Sequence, residues 1–81
     1  NLIGKEILNE INVIYPQIIN CSYAETFLFD KNEETYDIID LIVFQVNDID
    51  FINNDERIKI NNWLKARLKS NRVKTYFEYV E

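Results

Sequence analysis

The chain lacks histidine and contains only one glycine, one proline and one cysteine among its 81 residues. A single glycine is too few for the Gly-rich loops that cradle phosphate groups. Without histidine, the chain has no imidazole to bind zinc or copper or to activate a catalytic thiol. A lone Cys21 cannot form a disulfide within the chain, which favours a reducing compartment. We therefore predict no catalytic residues, no metal site and no cofactor.

The net charge of -5 argues against broad nucleic-acid binding, because a phosphate backbone would be repelled. The longest apolar runs fall far short of the roughly 20 residues that span a bilayer. With 47% hydrophobic and 28% charged residues, the composition is that of a soluble globular domain. We predict one domain over residues 1–81. Because its start, NLIGKEIL, shows neither an initiator methionine nor a signal-like segment, we expect it to be part of a larger protein.

The first half of the sequence predicts a helix followed by a β-hairpin. Apolar residues recur at steps of three and four over residues 2–14, which indicates an amphipathic helix that ends near Tyr15, ahead of Pro16. Residues 19–30 and 35–46 are rich in β-branched and aromatic side chains. They flank the polar stretch DKNEE, which is typical of a hairpin loop.

The second half predicts another helix and a last strand. Asn53 and Glu56 resemble a capping box, and basic residues near position 67 suit the end of a helix, with Ser70–Asn71 as its stop. The alternating stretch RVKTYFEYV then predicts a strand. The order α-β-β-α-β favours an α+β two-layer sandwich with a three-stranded sheet and both helices on one face. We expect the last strand to run parallel to its neighbour and to lie beside the first strand, which would then be central.

The stretch YDIIDLIVFQV, residues 36–46, is apolar on both faces. The two faces carry Ile38, Ile42, Phe44 and Val46 on one side, and Ile39, Leu41 and Val43 on the other. Two helices can cover only one face, and each large apolar side chain gains about 1.5–3 kcal/mol from burial. A bend, an edge or a mobile loop is one explanation for the excess, and a missing neighbouring domain is another. We favour a homodimer, through the open sheet face or a sheet edge, with Ile39, Leu41, Val43 and Tyr76 in the contact.

Charged residues are segregated along the chain. The run KARLKSNRVK holds five of the nine basic residues, and its Arg67, Arg72 and Lys74 form a candidate site for an anion, a lipid headgroup or RNA. A solvated helix end is the simpler interpretation of the same residues. Residues 25–56 contain ten acids and one base, which suits docking of the acidic region of one copy against the basic end of another.

Three further candidates for chemistry have simpler structural explanations. Asp48, Asp50 and Asp55 supply oxygen ligands for calcium, but their spacing lacks the glycine of an EF-hand, and a polar loop that caps a helix is favoured. Glu25 and Asp40 are expected to face each other across the hairpin, yet paired carboxylates need a deep cleft to act as an enzyme. Cys21 is expected to be a buried structural residue.

The α-β-β-α-β order resembles the cytoplasmic C-terminal domain of cation diffusion facilitator transporters, a small dimer below a membrane domain. Those domains commonly bind metal through histidine and acidic residues, and the absence of histidine here puts a metal role in doubt. The strings IYPQI and ERIKINNWLKARL are similar to soluble tails of bacterial membrane proteins that carry an uncharacterised hydrophobic domain. Together with the apolar second face of residues 36–46, these resemblances favour a non-enzymatic accessory domain that self-associates. We expect it to be the cytoplasmic tail of a bacterial membrane protein and to help assemble or regulate that parent.

Overall fold

The computed structural model describes residues 2–51 and 53–81. The elements follow the predicted order: helix α1 (Ile3–Ile14), strands β1 (Ile18–Phe29) and β2 (Tyr36–Val46), a 3-10 turn (Ile49–Phe51), helix α2 (Asn54–Leu68) and strand β3 (Val73–Tyr79). The result is the predicted α+β fold.

The helix ends follow from local chemistry. Tyr15 closes α1 with φ -125° and ψ 83°, because a residue that precedes proline is pushed out of the helical region. Asn53 caps α2 by accepting a hydrogen bond at Oδ1 from the backbone N–H of Glu56, at 3.0 Å. The backbone N–H of Asn53 donates instead to the Phe51 carbonyl, so only half of the capping box forms. Lys69 ends α2 in the left-handed conformation, at φ 53°, just before the predicted stop.

Strand β2 is central, so the prediction that β1 lies in the middle of the sheet is wrong. The order is β1-β2-β3: β1 pairs with β2 antiparallel, and β3 pairs with β2 in parallel. The predicted parallel pairing is thus confirmed, but with another neighbour. The physical reason is that β2 is apolar on both faces, as an internal strand tends to be, whereas β1 has an irregular register between Ile18 and Asn20 that is typical of an edge.

Both helices pack on one face of the sheet, as predicted. This face of β2 presents Ile42, Phe44 and Val46, which are all fully buried. They belong to a hydrophobic core to which every other element contributes. Its further members are Ile7 and Ile11 of α1, Ile18 of β1, Phe51 of the 3-10 turn, Ile60 and Leu64 of α2, and Val73 of β3.

The β1–β2 hairpin extends beyond the helices. Twelve residues span about 40 Å in β1 but only about 18 Å in α1. Near its start, α1 packs against Tyr23, whose Cβ lies 3.6 Å from the Cβ position that an alanine would have at Gly4. Strand β3 begins its pairing only at Asp40. Residues 25–39, which we call the hairpin arm, therefore extend past the layer of helices and past β3, along a molecule 41 Å in its longest dimension.

Candidate interaction surfaces

The face of the sheet opposite the helices carries the predicted contact residues. Alternation along β2 places Ile39, Leu41 and Val43 there, and the parallel register sets Tyr76 beside Val43. Tyr76 is 55% exposed, and Leu41 and Val43 are partly exposed. Ile39 is only 8% exposed although it does not belong to the helix-facing core. We call these four residues the open-face strip; the structure brings them together on the face opposite α1 and α2.

A polar ladder borders the open-face strip at the far end of the sheet. The side-chain amide of Asn20 donates to Gln45 Oε1 at 2.7 Å, and Gln45 Nε2 donates to Glu78 Oε1 at 2.8 Å. The ladder therefore crosses all three strands and satisfies polar groups where the apolar surface stops. Leu28 adds exposed apolar surface to the open face at the other end of the sheet. It lies on that face because its register partner, Asp37, is two residues from Ile39 on β2.

The three candidate anion-binding residues do not form one cluster. Arg67 makes a bidentate ion pair with Glu10 of α1, with Nε–Oε1 and Nη2–Oε2 distances of 2.9 Å. This pairing lowers the pKa of Glu10 and raises that of Arg67. Lys74 lies on the open sheet face beside Leu41, and Arg72 lies in the turn before β3. Because Arg67 belongs to the helical layer and Lys74 to the opposite face, a shared anion site stays a prediction without geometric support.

Glu25 and Asp40 are register partners in the hairpin, as expected. Asp40 Oδ1 accepts a hydrogen bond from the Tyr23 hydroxyl at 2.9 Å. Burial, together with the nearby Asp40 carboxylate, raises the pKa of Tyr23 to about 12. This Asp40 oxygen is thus engaged in a structural hydrogen bond that holds β1 to β2.

The acidic connection between β2 and α2 serves local structure. Asp48 Oδ1 accepts the backbone N–H of Asp50 at 3.0 Å, and Asn53 caps the helix that follows. Over residues 2–51 and 53–81, no three side chains of the metal-ligating types come together to hold an ion. Cys21 is half-buried under α1, and burial raises the pKa of its thiol to about 11.

The sequence matches one protein family over residues 3–78. The chain belongs to the family described as domain of unknown function DUF8492. No curated protein and no solved structure matches the chain. In the described ranges of this DUF8492 domain, no helix is long and apolar enough to span a membrane.

The DUF8492 domain also has an exposed aromatic cluster that sequence reasoning missed. Phe27, Phe29 and Tyr36 contact one another on the helix-facing side of the hairpin arm, with ring centroids 4.8 Å apart for Phe27–Tyr36 and 5.6 Å for Phe29–Tyr36. Phe29 is 72% exposed because α1 begins too far along the sheet to cover it. The sequence contained a signal for this cluster. A 12-residue helix is less than half as long as a 12-residue strand, so α1 cannot cover the whole of β1.

Proposed function

We propose that this DUF8492 domain is a non-catalytic self-association domain, in which the open-face strip of one copy contacts a second copy. The observation that carries the proposal is the placement of both helices on one face of the sheet. On the other face, no helix or strand within residues 2–51 and 53–81 covers Leu41, Val43 and Tyr76. Apolar surface that forms a continuous patch is typical of an interaction site rather than of a solvated sheet.

The size of the sheet predicts a weak rather than an obligate contact. Three strands with about 4.8 Å between them and a common length of seven residues give a face of roughly 14 Å by 23 Å. Stable interfaces bury on the order of 1,200–2,000 Å² in total. The open face alone lies below that range, so association should appear only at high protein concentration or when a larger parent raises the local concentration.

The wider role that we propose is that of an accessory domain. In this proposal, the domain forms the cytoplasmic tail of a bacterial membrane protein and helps to assemble or regulate that parent. The α-β-β-α-β order, which resembles that of the dimeric transporter tails, supports it. A domain of this kind needs no active site, since its effect comes from bringing two copies of the parent together.

Sedimentation equilibrium on the wild-type domain and on Leu41→Asp tests the proposal. The wild type should show a weight-average mass that rises with concentration, and Leu41→Asp should stay monomeric because a carboxylate would be desolvated in the contact. Val13→Asp is the matched control, since Val13 is an exposed apolar residue on α1, and it should associate like the wild type. A wild type that is monomeric up to millimolar concentration would contradict the proposal.

A further inference from the structure

Strand β3 lies at an edge of the sheet, and within residues 2–51 and 53–81 no further strand pairs with its outward backbone groups. The Asp40 N–H donates to the Arg72 carbonyl and the Val80 N–H donates to the Val46 carbonyl, each at 2.9 Å. Even-numbered residues of β3 therefore point their backbone groups at β2. By alternation, the backbone groups of Val73, Thr75, Phe77 and Tyr79 point away from the sheet.

The two charged side chains of β3 lie symmetrically about its central residue. In the strand sequence VKTYFEY, Lys74 and Glu78 lie two residues on either side of Tyr76. All three are exposed on the open face. In an antiparallel pair of two such strands centred on Tyr76, each Lys74 lies opposite the partner's Glu78, and the two tyrosines lie opposite each other.

We propose that β3 of one copy pairs antiparallel with β3 of a second copy around a two-fold axis at Tyr76. The two sheets then form one six-stranded sheet. This contact uses the β3 edge, a different surface from the open-face strip except for Tyr76. It goes beyond the open-face contact proposed above, because β3 pairing leaves Leu41 and Val43 uncovered by the second copy. An isologous contact of this kind closes at two copies.

The register follows from the pattern of faces and charges. If the two-fold axis passes through a residue of β3, the core-facing side chains of both copies lie on the same face of the joined sheet. If it passes between two residues, they lie on opposite faces. A centre at Tyr76 pairs all the outward backbone groups of β3. A centre at Thr75 or Phe77 leaves some of them unpaired and sets Lys74 opposite an uncharged residue. A centre at Thr75 would oppose Arg72 and Glu78, but Arg72 lies outside β3. The centre at Tyr76 is the one that opposes the two charged residues of the strand itself, Lys74 and Glu78, twice.

The other free edges of the sheet lack this complementarity. Strand β1 carries Glu25 as its only charged residue, so no symmetric pairing of β1 with itself opposes unlike charges. The part of β2 that extends past β3 is centred near Asp37, and symmetric pairing there would set two Asp37 carboxylates opposite each other. Like charges in that position destabilise a sheet. The β3 edge is therefore the one where charge favours a second copy.

Space beside the β3 edge is consistent with this contact. A depression of about 380 Å³ lies between α2 and β3, lined by Arg57, Ile58, Asn61, Asn62, Thr75 and Phe77. Within it, the Ile58 side chain is exposed. A second β3 strand would bring the partner's α2 toward this depression and would reduce the exposure of Ile58. It would also place the two open-face strips side by side, with the two Tyr76 rings at the join.

Charge reversal with rescue tests the pairing. Lys74→Glu and Glu78→Lys, made separately, each turn both unlike-charge pairs into like-charge pairs, so each should weaken dimerisation about tenfold or more in sedimentation equilibrium. The double variant restores both charge pairs and should return to within about threefold of the wild type, although, like Glu78→Lys, it lacks the carboxylate that accepts the hydrogen bond from Gln45 Nε2. Residues 74 and 78 lie about 13 Å apart along one strand, so the rescue cannot arise within a single copy. Lys5→Glu, an exposed reversal on α1, is the matched control and should dimerise like the wild type.

A disulfide test, made in a Cys21→Ser background, determines the register of the β3–β3 pair directly. Directly opposed residues in a pair without mutual hydrogen bonds have Cα atoms about 4.5 Å apart, within the range of a disulfide. Tyr76→Cys should therefore crosslink into dimers under mild oxidation. Lys74→Cys should not, because its two copies would lie roughly 13 Å apart.

The outcomes separate this inference from the proposed function. If single reversals have no effect, if the double variant is not rescued, or if Lys74→Cys crosslinks as readily as Tyr76→Cys, the β3 pairing is overturned. Loss of association in Leu41→Asp alone would then still support the open-face contact. The reverse pattern, sensitivity at positions 74 and 78 but none at Leu41, would support the edge pairing and contradict the face contact. A strictly monomeric wild type would overturn both.

Discussion

Leu41 and Ile42 are neighbours on β2 that point to opposite faces of the sheet, and this makes them a matched pair for measuring how each face is covered. Ile42 is 0% exposed beneath the helices. Changing either residue to alanine removes the same number of carbon atoms. For Ile42→Ala, about 0.8 kcal/mol for each of three buried carbons plus a cavity contribution gives a loss of about 3–4 kcal/mol. For Leu41→Ala, which has no helix above it, we expect a loss of about 1 kcal/mol.

Urea unfolding of both variants, at protein concentrations low enough for the monomer, measures this difference. A domain of this length has a total stability of about 4–12 kcal/mol, so Ile42→Ala should shift the midpoint severely and Leu41→Ala only slightly. The slopes of the transitions should match that of the wild type if both variants still unfold in two states. Equal losses at the two positions would refute the reasoning, because they would mean that the open face is packed as tightly as the core within one copy.

Three smaller predictions concern individual residues. Asn53→Ala should lower the free energy of unfolding by about 1 kcal/mol, as measured by urea denaturation, because the first turn of α2 loses its side-chain cap; no change would contradict the capping role. Lys69→Gly should raise the free energy of unfolding by about 0.5–1 kcal/mol in the same urea assay, since glycine adopts the left-handed conformation without steric cost. A loss of stability would contradict that explanation. Cys21, with its pKa raised from 9.0 to about 11, should react with a thiol reagent at pH 8 about 100-fold more slowly than an unfolded-chain cysteine, and its rate should rise with pH until about 11; a rate equal to that of the urea-unfolded chain would show that the thiol is not buried.

Local features of the fold could be predicted because their causes are local. The Tyr15–Pro16 step ends α1 for a steric reason that is visible in the sequence, and Asn53 caps α2 through an atom three residues from its partner. The α+β class follows from the periods of the apolar residues. The strand order was missed because the connection through α2 can return β3 beside either β1 or β2. The two-sided apolar pattern of residues 36–46 was itself the signal that β2 is central.

The surfaces depend on relations between elements that a one-dimensional pattern does not contain. Arg67 and Lys74 are close in sequence, but α2 lies on one side of the sheet and Lys74 points to the other. The Arg67 ion pair with Glu10 spans 57 residues and has no local signal. Exposure of Phe29 depends on the length of α1 relative to the hairpin. By contrast, alternation in β2 was enough to predict that Ile39, Leu41 and Val43 share a face, whereas Tyr76 lies beside Val43 through the β2–β3 pairing that was not predicted.

Methyl NMR of the wild-type domain over a range of protein concentrations tests most directly whether a second copy covers the open face. The account predicts that the methyl signals of Leu41 and Val43 shift or broaden as concentration rises, while those of Ile42 and Leu64, which are buried in the core, do not. Spectra in which none of these signals changes up to millimolar concentration would contradict it.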